Sequence, residues 1–235
     1  MDVSVLSDDA LYTDAVRGVS AYRREKTEKL RFAEDKYRSL GAELLLRYAL
    51  RERGYTDTAL AALSFSFGEN GKPYLCGETA SVHFSLSHAG NYALCVLSDT
   101  ELGCDIEKIR DYREETAKRF FSPGEAEDIC AAPSADERAQ RFFRYWTLRE
   151  SLLKARGCGF AGNTPALSFR PSPSGVTAEE DGKPLPYVFW ESDALPGYRC
   201  AVCLYADHEA GDTLILPEKI TVCTFPITGG ETLSR

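Results

Sequence analysis

No apolar run in the 235-residue chain approaches the roughly 20 residues that a helix needs to cross a bilayer. The N-terminal stretch MDVSVLSDDALYTDAVRG also lacks the positive start of a secretory leader and carries acidic residues there instead. Both absences point to a cytoplasmic protein without membrane attachment. Basic residues are outnumbered, 28 Lys and Arg against 36 Asp and Glu, and the net charge of −8 repels a polyphosphate duplex. That excludes non-specific nucleic-acid binding as the main task. The nucleophile-elbow spacing G-x-S-x-G is missing, and adjacent Ser87 and His88 on one strand would point to opposite faces, so a Ser-His-Asp hydrolase fails as well. Cys200 and Cys203 form a C-x-x-C without a second pair at zinc spacing. The eight cysteines are scattered, several within apolar runs such as Ala93-Leu94-Cys95-Val96-Leu97, and read as reduced, mostly buried thiols rather than a disulfide framework. No internal repeat is visible.

What remains is the composition of an ordinary globule, 43% hydrophobic, 27% charged and 11% aromatic, able to bury a full core. The length allows one large domain or two modest ones. From Leu30 to Arg53, Leu40, Leu44, Leu45, Tyr48 and Ala49 recur at helical spacing, and Gly54 closes the run as a C-cap would. The preceding Tyr22 to Arg31 concentrates positive charge, as a solvated helix face or as an anion site. Strands are expected over Ser81–Ser87 and Tyr92–Leu97, joined by a turn at His88-Ala89-Gly90-Asn91, with another over Leu102–Glu107. A helix from Asp136 to Arg156, a break at Pro171–Gly175 and strands over Tyr187–Trp190, Tyr198–Tyr205 and Ile220–Phe225 follow. Helix then strands, twice over, predicts an α+β fold rather than a parallel βαβ sheet.

Side chains two apart on a strand share a face, so Asp105 and Glu107 of Gly103-Cys104-Asp105-Ile106-Glu107 project together. They form either a solvent-facing acidic strand end or oxygen ligands for a hard divalent ion such as Mg²⁺. Trp146, Glu150 and Lys154 fall four apart along one helix face. The pair Glu150–Lys154 is then a surface ion pair, or a third carboxylate and a phosphate partner. Phe84-Ser85-Leu86-Ser87-His88 brings a hydroxyl and one of only three histidines to a strand end, where an imidazole can hold an anion or a proton. Asn70-Gly71-Lys72-Pro73 is a turn that presents Lys72.

Taken in order, the basic approach, G-K-P, F-S-L-S-H, G-C-D-I-E, R-F-F-S and W-T-L-R-E-S-L-L-K-A-R-G resemble the 4′-phosphopantetheinyl transferase superfamily, in its long, surfactin-synthetase-activating (Sfp-like) branch. The resemblance runs from about Lys26 to Gly159 and continues loosely to Tyr205. It implies a pseudo-twofold monomer of two similar lobes, residues 1–102 and 103–235, with coenzyme A in the cleft between them. The implied reaction moves the 4′-phosphopantetheine arm of coenzyme A onto a serine of an acyl or peptidyl carrier protein and releases adenosine 3′,5′-bisphosphate. By position, Asp105, Glu107 and Glu150 are the implied ligands of Mg²⁺, or of Mn²⁺ in its place. Glu150 is also the implied base for the serine, directly or through a water. Lys154, His88 and Ser87 are expected at the phosphates, Lys72 along the nucleotide, and Lys26 and Lys29 near the 3′-phosphate. Ala89, Arg149 and Cys104 depart from the commonest pattern: a hydroxyl residue often follows S-H, Lys usually precedes the Glu, and Val or Ile is common in place of Cys104. A hydrolase of nucleotide diphosphates and a non-catalytic coenzyme A- or carrier-binding module stand as rivals.

Overall fold

The computed structural model describes residues 1–159, 166–173 and 175–206, together with the strands at 220–222 and 231–233. Its contacts divide the chain into two compact units, Met1–Asp99 with Ile215–Arg235, and Thr100–Leu214. The first junction lies three residues before the expected 102/103 boundary.

The first unit begins with helices α1 (Asp9–Gly18), α2 (Ala21–Glu28), α3 (Ala33–Glu52) and α4 (Asp57–Ala61). Asp8, Ser20 and Thr56 cap α1, α2 and α4 by accepting hydrogen bonds from backbone N–H groups of the first turn. The basic approach is therefore a helix of its own. It is packed against α3 through the buried Thr27–Ser39 hydroxyl contact of 2.9 Å. Arg53 is the C-cap of α3, and Gly54 follows at φ 96°, the conformation for which glycine carries no Cβ penalty. Two hairpins follow, β1 (Phe65–Phe67) with β2 (Pro73–Leu75), and β3 (His83–Ala89) with β4 (Tyr92–Ser98). Leu46 and Leu50 of α3 pack with Leu75, Val82 and Phe84 to fill the core of this unit.

The β3 strand starts two residues later than expected, because the N–H of Val82 is already committed to the carbonyl of Thr79. It also runs on through His88 and Ala89, which pair with Ala93 and Tyr92. The connection is thus the two-residue loop Gly90-Asn91, with Gly90 at φ 52°.

The second unit runs β5 (Leu102–Lys108), α5 (Glu114–Phe120), α6 (Pro123–Ala131), α7 (Ala135–Arg156), β6 (Leu167–Ser172), β7 (Gly175–Glu180), β8 (Lys183–Pro184), β9 (Tyr187–Ser192) and β10 (Tyr198–Tyr205). One antiparallel sheet has the order β5-β10-β9 and another the order β6-β7-β8. The Pro/Ser-rich stretch after Arg170 is not a break: Pro171 pairs with Val176 on an edge strand, where its missing N–H is tolerated. Every strand pair described is antiparallel, as an α+β fold requires. The apolar face of α7, including Phe142, Phe143, Leu148 and Leu152, forms one core with Phe169, Phe189, Ala201 and Cys203. Cys104, Cys200 and Cys203 are buried, and the seven cysteines among the described residues are free thiols. The last strands, β11 (Ile220–Val222) and β12 (Glu231–Leu233), pair with each other; residues 223–225 of the expected final strand lie outside the described residues. No described helix is long and apolar enough to cross a membrane.

Candidate active site

The site in the second unit starts from a glycine. A Cβ on Gly103 would stand 1.9 Å from the carbonyl oxygen of Ser151 and 2.4 Å from the nitrogen of Ala155, so α7 lies directly on the backbone of β5 at this point. Asp105 and Glu107 share the face of Gly103 by the two-residue strand period, and therefore also face the side on which α7 packs. Leu102, Cys104 and Ile106 occupy the opposite face and are buried. The β5–β10 ladder fixes the register: Ala201 stands opposite Asp105, and Arg199 opposite Glu107.

From α7, Lys154 donates a 2.7 Å hydrogen bond to Oδ1 of Asp105, an ion pair whose acid is almost fully buried. Glu150 lies one helical turn before it, partly buried. Trp146, one turn earlier again, stacks on Phe142 at 5.8 Å and meets Phe120 edge-on. The expected stripe thus divides, its aromatic member bracing the helix and its charged members serving the site. Arg110 donates a 2.9 Å hydrogen bond to Glu107 and was not foreseen. Its only sequence signal is a base three residues beyond the second acid of G-C-D-I-E.

The electrostatics follow from this crowding. Burial pushes the Glu150 carboxyl up to about 7; Asp105 and Glu107 add to the rise, and Lys154 opposes it. Glu107 is raised by burial and by Asp105, against the lowering effect of Arg110. Burial pulls Lys154 down, but Asp105, aided by Glu150, more than compensates and holds its ammonium above the ordinary lysine range.

Among the described residues, no group of three or more His, Cys, Asp or Glu side chains is placed to hold a metal ion. The donor chemistry nevertheless fits a hard divalent cation. Asp105, Glu107 and Glu150 supply carboxylate oxygens only, and their burial and mutual repulsion are the penalties that such a charge relieves.

A family model for the 4′-phosphopantetheinyl transferase superfamily matches residues 101–203, and one for the 4′-phosphopantetheinyl transferase N-terminal region matches residues 7–100. The chain is 31% identical over 208 residues to 4′-phosphopantetheinyl transferase Sfp of Bacillus subtilis, covering 88% of each chain. The chain belongs to the 4′-phosphopantetheinyl transferase superfamily. Another Bacillus subtilis 4′-phosphopantetheinyl transferase is 34% identical over 79% of this chain and 81% of its own. The psf-1 transferase of Bacillus pumilus is 32% identical over 79% and 78%. The two matched segments of the superfamily meet within one residue of the structural junction at Asp99–Thr100.

The remaining residues carried over from the superfamily pattern all lie in the first unit. Lys26 sits in the last turn of α2 and Lys29 is its C-cap. Desolvation of the Lys26 amine, although much of that side chain is exposed, and then the charge of Arg23 lower its pKa. Lys72 occupies the β1–β2 turn with its ammonium 5.7 Å from the centroid of the Tyr74 ring. On β3, Ser87 is buried and His88 exposed, the opposite faces that strand alternation demands. The structure therefore brings Asp105, Glu107, Glu150 and Lys154 together on β5 and α7, and sets Lys26, Lys29, Lys72, Ser87 and His88 on separate elements of the other unit.

Proposed function

We propose that this chain transfers the 4′-phosphopantetheine arm of coenzyme A to the hydroxyl of a serine on an acyl or peptidyl carrier protein, releasing adenosine 3′,5′-bisphosphate. The observation that carries the reading is the convergence of two carboxylates from β5 with Glu150 and Lys154 from α7. The serine oxygen forms a bond to the phosphorus that carries the pantetheine arm, and the bond from that phosphorus to the oxygen of the adenosine bisphosphate breaks. Such a transfer depends on charge neutralisation and in-line positioning more than on covalent catalysis.

Asp105, Glu107 and Glu150 would hold Mg²⁺, with Mn²⁺ as a substitute, and the ion would neutralise charge on the pyrophosphate. Glu150 takes the proton of the serine, directly or through a water; a carboxyl pushed up to about 7 is matched to that task at neutral pH. Lys154, kept charged by Asp105, contacts the phosphates. Ser87 and His88 assist it there, with Lys72 along the nucleotide and Lys26 and Lys29 at the 3′-phosphate. Each unit lays one long helix on antiparallel strands, which supports the pseudo-twofold reading of two related lobes. The protein works as a cytoplasmic monomer in this account.

Release of adenosine 3′,5′-bisphosphate from coenzyme A, measured with and without an apo-carrier protein, tests the proposal. Release that requires the carrier is expected. Release in its absence identifies a hydrolase, and binding of coenzyme A with no release in either arm identifies a non-catalytic module.

A further inference from the structure

We infer that Arg149 is a positioning residue for Glu150, holding α7 in the rotation that turns this carboxylate toward β5. The inference rests on the role proposed for Glu150. The sequence pattern invites placing Arg149 among the cations of the site, yet its side chain is fully buried on another side of the helix. Successive helical residues project about 100° apart, so a fixed Arg149 sets the direction of Glu150.

The anchor joins several elements. Nη2 of Arg149 donates to Oε2 of Glu125 at 3.0 Å and to the carbonyl of Leu167 at 2.9 Å. Its guanidinium lies over the rings of Phe121 and Phe169, 4.9 and 5.3 Å from their centroids. Glu125 in turn accepts from the N–H of Ser122, closing the capping box of α6, and from the N–H of Phe169 on β6, each at 2.8 Å. One buried carboxylate thus ties the start of α6, the middle of α7 and the first residues of β6 together. The carboxylate that α7 carries into the site is the next residue in sequence. Removing the guanidinium frees the helix to turn and carries Glu150 away from Asp105 and Glu107, while the cations of the first unit keep their own supports.

Arg149→Met retains an unbranched apolar stem without the charge. Arg149→Lys restores one cationic donor, and of the three nitrogens of the Arg149 guanidinium only Nη2 has hydrogen-bond partners among the described residues. For Arg149→Met that melts cooperatively, kcat is expected to fall about 10- to 100-fold, the cost of a displacement near 1 Å. The KM for coenzyme A should rise less than kcat falls, because Lys154 turns with α7 while the cations of the first unit stay in place. Calorimetric titration with Mg²⁺ alone should show weaker binding, and Arg149→Lys should recover both kcat and Mg²⁺ affinity. If Arg149→Met does not fold, Glu125→Asp draws the anchor back by one methylene and should show the same split. Wild-type kcat and Mg²⁺ affinity in a folded Arg149→Met or Glu125→Asp protein overturns the inference, as does a loss of kcat that only tracks the unfolded fraction. An inactive Glu150→Gln beside a fully active Arg149→Met defeats the positioning role alone. A fully active Glu150→Gln defeats the reading of the site beneath it.

Discussion

Replacing Gly103 with Ala tests the contact on which the site is built. The added methyl meets backbone atoms at 1.9 and 2.4 Å, and neither the carbonyl of Ser151 nor the nitrogen of Ala155 can rotate aside. Restoring ordinary van der Waals separation requires α7 and β5 to part by about 1.5 Å. Overpacking against immobile atoms belongs at the upper end of the usual range, about 3 kcal/mol. For a chain of this size that lowers the melting temperature by about 6–12 °C. The same displacement pulls Lys154 off Asp105 and Glu150 away from both β5 carboxylates, so transfer by the folded variant should fall about 100-fold. Thermal melting by circular dichroism and carrier-dependent release of adenosine 3′,5′-bisphosphate read the two effects separately. A Gly103→Ala protein with wild-type melting and turnover would refute the close approach and the site geometry derived from it.

Glu150→Gln should cut turnover severely while changing coenzyme A affinity much less, since the phosphate contacts remain; steady-state kinetics paired with a coenzyme A titration checks this. Lys154→Met withdraws the ammonium that neutralises the buried Asp105, and should cost about 1–3 kcal/mol in a denaturation curve as well as weaken coenzyme A binding. In the metal-free protein the raised pKa of Glu150 means that the folded state holds a proton that the unfolded state gives up near the ordinary glutamate value of 4.5. Its contribution to stability is therefore full below about 4.5 and is lost as the pH rises through about 7. The difference in melting temperature between wild type and Glu150→Gln should track that window. A wild-type minus variant difference that stays flat from pH 4 to 8, a range chosen to bracket it, contradicts the assignment. Mg²⁺ must displace the same proton, so its apparent affinity should fall about tenfold per pH unit below about 7, as followed by calorimetry.

Local patterns explain what the sequence revealed. The two-residue period paired Asp105 with Glu107, and the four-residue period paired Glu150 with Lys154, because each rule concerns neighbours on a single element. The contact between those elements needed Gly103, whose missing Cβ has a meaning only once Ser151 and Ala155 lie above it. Arg149 and Glu125 are separated by 24 positions and belong to different helices, so no spacing announces their ion pair. The β6-β7-β8 sheet was hidden for another reason. Pro171 looks like punctuation until the topology makes β6 an edge, where a proline costs no ladder hydrogen bond. His88 was placed in a turn because Gly90-Asn91 is a strong turn signal, but the strand pairing extends to Ala89 before the chain reverses.

The central claim is that this chain attaches a phosphopantetheine arm to a carrier serine. Incubation of the purified protein with coenzyme A, Mg²⁺ and a panel of apo-carriers from fatty-acid, polyketide and peptide synthases, followed by mass spectrometry of the intact carrier, addresses it directly. The account predicts one phosphopantetheine increment on at least one carrier, abolished when its acceptor serine is replaced by alanine. No increment on any carrier, with the enzyme folded and coenzyme A bound, would contradict it.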